Sequence, residues 1–400
     1  MRRLNLANTA ILLLLFFMPF ITCSRQPVKQ PLSRPPDISE PLSLEMPGRK
    51  TVSYEKMADF LHDLMEEYKI RALSIAVSQN RQSFLIGLGY IDPQSQRPVN
   101  NNTVFQAGSL GQPVFASLII EMWREGIIDF DQPIYKYLKH PLPEYPEYRD
   151  LKDDPRYRRL TARRILSHQS GFPYSRRMNA DRRLDFKFSP GKQFGYSAEG
   201  YLLLQFVLEE LTGRSVNDLA KEKIFDPLGM RRSSFVWEQR FETNHVTSKD
   251  APLNSGARAL NGKASVADFF LTTSSDYQKF LNVRPWGDSL PEISITSKSI
   301  FSPPKTGKGI SLPKKFSWTL GWGYYMYRGQ HVSFQGCREK EYENYVSVFY
   351  SFRGPASIVI LSVTSNNRTF TARILEELMG DTDAPLGWLD FEQKYRNNLK

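Results

Sequence analysis

Apolar residues recur every three or four positions in two early stretches, and these fix the first helices. Residues 53–68 carry Met57, Phe60, Leu61, Leu64 and Met65 on one stripe, the pattern of an amphipathic helix. Two strand-like runs follow, 72–77 and 83–90, joined by the polar turn Gln79-Asn80-Arg81. From residue 114 the apolar positions are Val114, Phe115, Leu118, Ile119, Met122 and Trp123, which predicts a buried helix stopped by Gly126. A helix starting in 161–166 breaks at 167–173. A long apolar helix at 202–211 ends on Thr212-Gly213, and a second leads to 225–230. Residues 264–281 read as helical, with Thr272 to Asp276 offering a capping start. A loop rich in Pro and Lys, 302–315, precedes Leu320-Gly321-Trp322-Gly323. Residues 345–352 alternate as a strand, 356–363 run apolar, and 369–379 close as a helix. With no internal repeat, this order predicts one large α+β domain with an inserted helical half.

The first 22 residues read as targeting rather than fold. Arg2 and Arg3 precede an apolar run over 10–21, shorter than the about 20 residues a membrane span needs but suited to a secretory signal. Phe20-Ile21-Thr22-Cys23 resembles a bacterial lipobox, so Cys23 is the candidate lipidation site; an ordinary signal peptide with an incidental cysteine is the alternative. Six prolines between 24 and 47 give residues 23–52 the composition of an extended tether. The expected organisation is therefore signal peptide 1–22, tether 23–52, a folded domain over 53–390 and a polar tail at 391–400. Export and a lipid anchor would place the domain on the periplasmic or extracellular side of a bacterial membrane.

Only two cysteines occur, so a lipidated Cys23 leaves Cys337 single. No His, Cys, Asp and Glu cluster has metal-ligand spacing, and no metal or cofactor is expected. The net charge is +11, and much of the excess falls between Arg149 and Arg183, where nine arginines lie from Arg156 onward. They read as a solvated face, or as an attraction for an anionic substrate, headgroup or cell-wall polymer. Nucleic acid does not suit an exported chain.

Pro113 fits the first turn of the helix after Phe105-Gln106-Ala107-Gly108-Ser109-Leu110-Gly111-Gln112. Ser109 then lies at or just before a helix N-terminus, where free N–H groups and the helix dipole favour developing negative charge. The address suits a nucleophile, and it suits an N-cap, the commoner use of serine there. Ala107 to Gly111 is one residue short of a G-x-S-x-G elbow, which keeps an α/β-hydrolase as a remote alternative.

Five phrases in order carry a more specific resemblance. They are the Ser109 helix with Glu125-Gly126 and 129–133, Leu166-Ser167-His168-Gln169-Ser170-Gly171, Pro190-Gly191 through Tyr196-Ser197, Pro227-Leu228-Gly229-Met230, and Leu320-Gly321-Trp322-Gly323. Over about 57–388 the chain resembles the class C β-lactamase branch of the serine β-lactamase and penicillin-binding protein family. That branch also holds D-alanyl-D-alanine carboxypeptidases and esterases. The resemblance implies a β-lactamase/transpeptidase-like α+β fold: a five-stranded antiparallel sheet flanked by terminal helices, with an all-helical lobe beside it and the site in the cleft.

It also implies three catalytic motifs. The S-x-x-K serine matches Ser109, but Gln112 stands for its lysine. The Y-x-N tyrosine matches Tyr196, with Ala198 for the asparagine. The K-T-G or H-x-G motif matches best at Phe334-Gln335-Gly336; Lys305-Thr306-Gly307 lies too early and reads as coincidence. His331 is expected to point out of the cleft by strand alternation, and His168 to pack its loop. The resemblance thus makes Ser109 and Tyr196 the catalytic candidates, with Gln112, Ala198, Phe334, Gln335 and Gly336 lining the substrate position. An amide accepts no hydroxyl proton and supplies no positive charge. Two readings stay open: a weak or impaired hydrolase of an amide or ester through an acyl-serine, and a non-catalytic binder of peptidoglycan peptides, lipid or protein. A cation arriving from elsewhere, with Arg176, Arg177 and Arg338 as candidates, would restore a base environment.

Overall fold

The structure is a computed structural model that describes residues 43–46, 51–80, 82–92, 94, 96–247, 263–282, 316–338, 341–351, 354–364 and 369–380. Cys23, the tether up to residue 42, Lys305-Thr306-Gly307 and the tail 391–400 lie outside the described residues.

Strands β1 (Ser43–Glu45) and β2 (Thr51–Ser53) pair and lead into helix α1 (Tyr54–Tyr68). Ser53 caps α1 by accepting the Lys56 N–H, and Lys69 ends it in the left-handed conformation. Strands β3 (Ile70–Gln79) and β4 (Gln82–Gly89) form the predicted hairpin. The two-residue β5 (Phe105–Gln106) precedes helix α2 (Gly111–Arg124). The lobe contains α3 (Ala162–Leu166), α4 (Ala198–Thr212) and α5 (Val216–Ala220). Then come β6 (Leu271–Thr272), α6 (Ser274–Asn282), β7 (Phe316–Trp318), β8 (Gly323–Tyr327), β9 (Gln330–Arg338), β10 (Glu343–Ser351), β11 (Gly354–Thr364) and helix α7 (Thr371–Met379).

The main sheet is antiparallel throughout and has seven strands, in the order β4-β3-β11-β10-β9-β8-β7. Five were expected. The phrase Leu320 to Gly323 turns one short edge strand into the next, and β7 and β8 extend the sheet past β9. Pairing fixes which side chains share a face. Ser74, Ser78 and Ser357 face α6: Ser74 Oγ is 2.7 Å from Ser274 Oγ, and Gln278 Nε2 donates to Ser78 Oγ at 2.9 Å. These short hydroxyls let α6 lie close on the strands. The opposite face takes the terminal helices, with Tyr54 edge-on to Phe84 and the Tyr327 hydroxyl donating to the Met379 carbonyl at 2.9 Å.

Between sheet and lobe runs α2, buried all round from Gly111 to Ile120, as befits a helix apolar on every side. Its glycine contacts are tight. A Cβ on Gly111 would lie 2.8 Å from Phe270, and one on Gly321 would lie 2.4 Å from the Ala116 Cβ, at a φ of +83°. Only glycine lets the β7–β8 turn rest on α2 there.

The helix predicted over 264–281 begins only at Ser274. Thr273 Oγ1 accepts the Asp276 N–H at 3.0 Å, so the capping residues set the start. Upstream, β6 pairs with β5 instead, and Phe270 packs on Phe235 and Tyr277.

Candidate active site

The segment before α2 is held from both sides. The Ala107 N–H donates to the Phe270 carbonyl at 2.7 Å, and Asn344 Nδ2 on β10 donates to the Gln106 carbonyl at 2.9 Å. Gly108 then takes a φ of +55°, and one 3₁₀ turn, Gly108–Leu110, runs into α2. A Cβ on Gly108 would lie 2.8 Å from the Tyr342 hydroxyl and 2.9 Å from Cys337 Sγ, so the glycine is required by what faces it. Ser109 follows, buried, its N–H directed at Cys337 Sγ, 3.4 Å away.

Gln112 is one turn further along, fully buried, and its Oε1 accepts the Tyr196 hydroxyl at 3.0 Å. Gln335 reaches in from β9. Its Nε2 lies 3.3 Å from the Ser109 carbonyl, 3.3 Å from Gln112 Oε1 and 3.4 Å from the Tyr196 hydroxyl, while its Oε1 accepts the Gly336 N–H at 3.0 Å. Among the described residues, neither amide is hydrogen-bonded to a lysine, arginine or histidine side chain. Ser109, Gln112, Tyr196 and Gln335 therefore form one hydrogen-bonded cluster joining α2, the start of α4 and β9. In it the phenol donates its proton to an amide oxygen and is a donor rather than a base. Gln112 Nε2 is left buried with no partner.

Tyr196 is set by an aromatic cage. His168 lies with its ring centroid 4.1 Å from that of Tyr196 and 5.0 Å from those of Tyr201 and Trp318. Its Nδ1 accepts the Ser197 N–H at 3.2 Å, which fixes the start of α4. Burial pushes the imidazole well below its ordinary pKa and keeps it neutral. His168 therefore packs the loop, as expected. Because the folded form refuses the proton that the unfolded chain accepts near pH 6.5, its stabilising contribution is complete above that pH and is lost as the pH falls below it. Urea unfolding from pH 7 down to pH 5 is expected to show this as stability lost below about pH 6.5, at no more than about 1.4 kcal/mol per pH unit, a dependence removed in His168→Gln.

The remaining candidates fall in different places. Ala198 opens α4, its N–H bonded to the Tyr174 carbonyl at 3.0 Å, and its methyl offers no hydrogen bond. Gly336 contributes only backbone. Phe334 is not in the cleft: its ring lies on the other face of β9, over Gly323, where a Cβ would meet it at 2.5 Å, and against Tyr325 and Tyr345. Alternation then puts Gln335 and Cys337 toward Ser109, one residue out of step with the sequence expectation. His331 consequently shares the Gln335 side of the strand rather than pointing away from it. It lies four residues along, roughly 13 Å at the rise of a strand, exposed against Tyr324. Arg176 is engaged by Glu199 at 2.9 Å and Arg338 by Thr369 and Glu343, while Arg177 is exposed. In the basic stretch Arg156, Arg163, Arg176 and Arg183 pair with Asp154, Asp131, Glu199 and Asp150. A nucleophile elbow needs a strand of a parallel sheet before the serine; here the two-residue β5 lies outside an antiparallel sheet, which removes the α/β-hydrolase alternative.

Cys337 and Tyr342 are the site residues that sequence reasoning missed. Strand parity, counted from Gln335, was the available signal for the first.

The sequence matches the Beta-lactamase family over residues 57–382, and the chain belongs to that family. Penicillin-binding protein 4* of Bacillus subtilis (strain 168) is 25% identical over 305 residues, 64% of this chain and 61% of that protein. Esterase EstB of Burkholderia gladioli is 24% identical over 205 residues, 45% of this chain and 50% of the esterase. The match thus spans less than two thirds of these relatives' own length. Among solved structures, the octameric penicillin-binding protein homologue from Pyrococcus abyssi superposes with a TM-score of 0.63 at 20% identity, covering 86% of this chain and 81% of that one. The β-lactamase/D-alanine carboxypeptidase from Pseudomonas syringae gives 0.64 at 16% identity, covering 81% and 97%. These superpositions establish the β-lactamase/transpeptidase-like fold.

Proposed function

We propose that this chain is an exported, catalytically impaired relative of the acyl-serine hydrolases, retaining Ser109 as a slow nucleophile toward an amide or ester. The observation that carries the reading is the Tyr196 hydroxyl donating to Gln112 Oε1 at 3.0 Å. Attack by a serine needs a neighbour that takes its proton. Here the two groups reaching the phenol from α2 and β9 are amides, which take none. Loss of a general base costs about 10²–10⁴-fold in rate. The choice of amide or ester follows the names of relatives, an esterase and a D-aminopeptidase of Gluconobacter oxydans (strain 621H). Export rests on the basic and apolar first 21 residues, and a lipid on Cys23 would tether the domain to a membrane. Among the described residues no helix is long and apolar enough to cross one.

A second reading, non-covalent binding of a cell-wall peptide, lipid or protein, is favoured by Gln112 Nε2, a buried donor without an acceptor that a ligand carbonyl would satisfy. A fluorophosphonate probe on the full chain separates the two. Slow labelling that disappears in Ser109→Ala is the expected result. Rapid stoichiometric labelling would overturn the impairment, and no labelling at any concentration leaves only the binding reading.

A further inference from the structure

We infer that the Cys337 side chain occupies the anion-binding position in front of Ser109 and holds the site closed to acylation. When a serine attacks a carbonyl, the oxygen becomes an anion that backbone N–H groups must meet, commonly including the N–H of the serine itself. Ser109 is placed for this at the entry to α2, where the helix dipole adds to the effect. That N–H is already used: it points at Cys337 Sγ, 3.4 Å away. The position is filled and braced. The Tyr342 hydroxyl and Cys337 Sγ both lie within 3 Å of where a Gly108 Cβ would be. Cys337 is 1% exposed and in no disulfide.

The strand register agrees. With Gln335 as the residue of the third motif that faces the cleft, Gln335-Gly336-Cys337 is the triplet, and Cys337 stands where the K-T-G or H-x-G pattern has glycine. A thiol there lets a substrate approach Ser109 only if the side chain leaves. In the same cluster the orphaned Gln112 amide nitrogen marks a donor for an oxygen that the closed site does not receive.

The inference rests on Ser109 as the residual nucleophile, so its test has two readouts. The first is hydrogen exchange of the Ser109 amide, which needs no chemistry at the hydroxyl. The second is the fluorophosphonate labelling rate of each variant relative to the natural chain. Cys337→Gly and Cys337→Ala are expected to speed amide exchange and to raise labelling about ten-fold or more, with the roughly 10²–10³ that one anion-binding donor contributes as the ceiling. Cys337→Ser, which keeps a polar atom facing that N–H, is expected to change both less than Cys337→Ala does. Circular dichroism and thermal midpoints confirm folding; where glycine in β9 unfolds the chain, the alanine variant decides. Unchanged exchange in a folded Cys337→Ala overturns the occupancy, and faster exchange without faster labelling overturns the inhibition. The absolute rate of the natural chain tests the impairment separately.

Discussion

A Gln112→Lys variant is expected to acylate at Ser109 about 10²-fold faster than the natural chain, the lower part of the range for a restored general base. Position 112 is on the turn of α2 that follows Ser109 and already holds the Tyr196 hydroxyl at 3.0 Å. A lysine there faces both groups, as residues three apart on a helix do. The gain is held to the lower end because Gln335 remains an amide and Cys337 still engages the Ser109 N–H. The proton acceptor is the neutral amine, so the gain is expected to grow as the pH rises through the titration of the introduced side chain, whose pKa burial lowers. The same burial has a cost: a neutral amine in a fully buried site is expected to remove about 1–3 kcal/mol of unfolding free energy, read from urea titration. Labelling rates across pH, with Gln112→Lys/Ser109→Ala as control, decide the matter. A folded variant that labels no faster than the natural chain would sink the proposal that the missing base limits this site. If base and anion position act separately, Gln112→Lys/Cys337→Gly is expected to multiply the two gains.

Local chemistry made the scaffold legible. The stripe Met57, Phe60, Leu61, Leu64 and Met65 gave α1 within a residue, and the runs either side of Asn80 gave the β3–β4 hairpin. Ser109 and Tyr196, 87 positions apart in the sequence, were paired through the resemblance, and Gln335 Nε2 connects them. What stayed hidden depended on tertiary choices. Whether Phe334 or Gln335 enters the cleft is one step of strand parity, decided by Gly323, which leaves room for the Phe334 ring on the far face. A hydrophobic ring and a polar amide already obey that division, since the far face meets apolar Tyr325 and Tyr345 rings. The helix at 274 shows the converse: the helical reading ran back to 264, and the capping start offered at Thr272 to Asp276 is where the helix begins, with the Asp276 N–H bonded to Thr273. The contact of Ser109 with Cys337 spans 228 positions, beyond the reach of any periodicity.

Arg176→Met is expected to lower the unfolding free energy by about 3–4 kcal/mol, more than any exposed pair in the basic stretch. Arg176 was a candidate cation for the serine site, and its structural role is different. Glu199, in the first turn of α4 and 5% exposed at its side chain, accepts the Arg176 backbone N–H at 2.6 Å and the guanidinium at 2.9 Å. The guanidinium also donates to the Glu147 carbonyl at 2.6 Å and lies over the Tyr148 ring. Methionine fills comparable space but leaves the carboxylate buried with the backbone N–H and the α4 dipole as its main support. The cost comes from stranding that charge, so Arg176→Met/Glu199→Leu is expected to be more stable than Arg176→Met alone. A double-mutant cycle by urea unfolding measures the coupling, and a double variant less stable than either single change would refute this account. The effect reaches the site as well. Tyr174, two residues before Arg176, accepts the N–H groups of Ala198 and Glu199 through its carbonyl and stacks on Tyr196. Loosening the ion pair frees the loop that keeps the phenol against Gln112, so the single variant is also expected to alter the near-ultraviolet circular dichroism of this aromatic cluster.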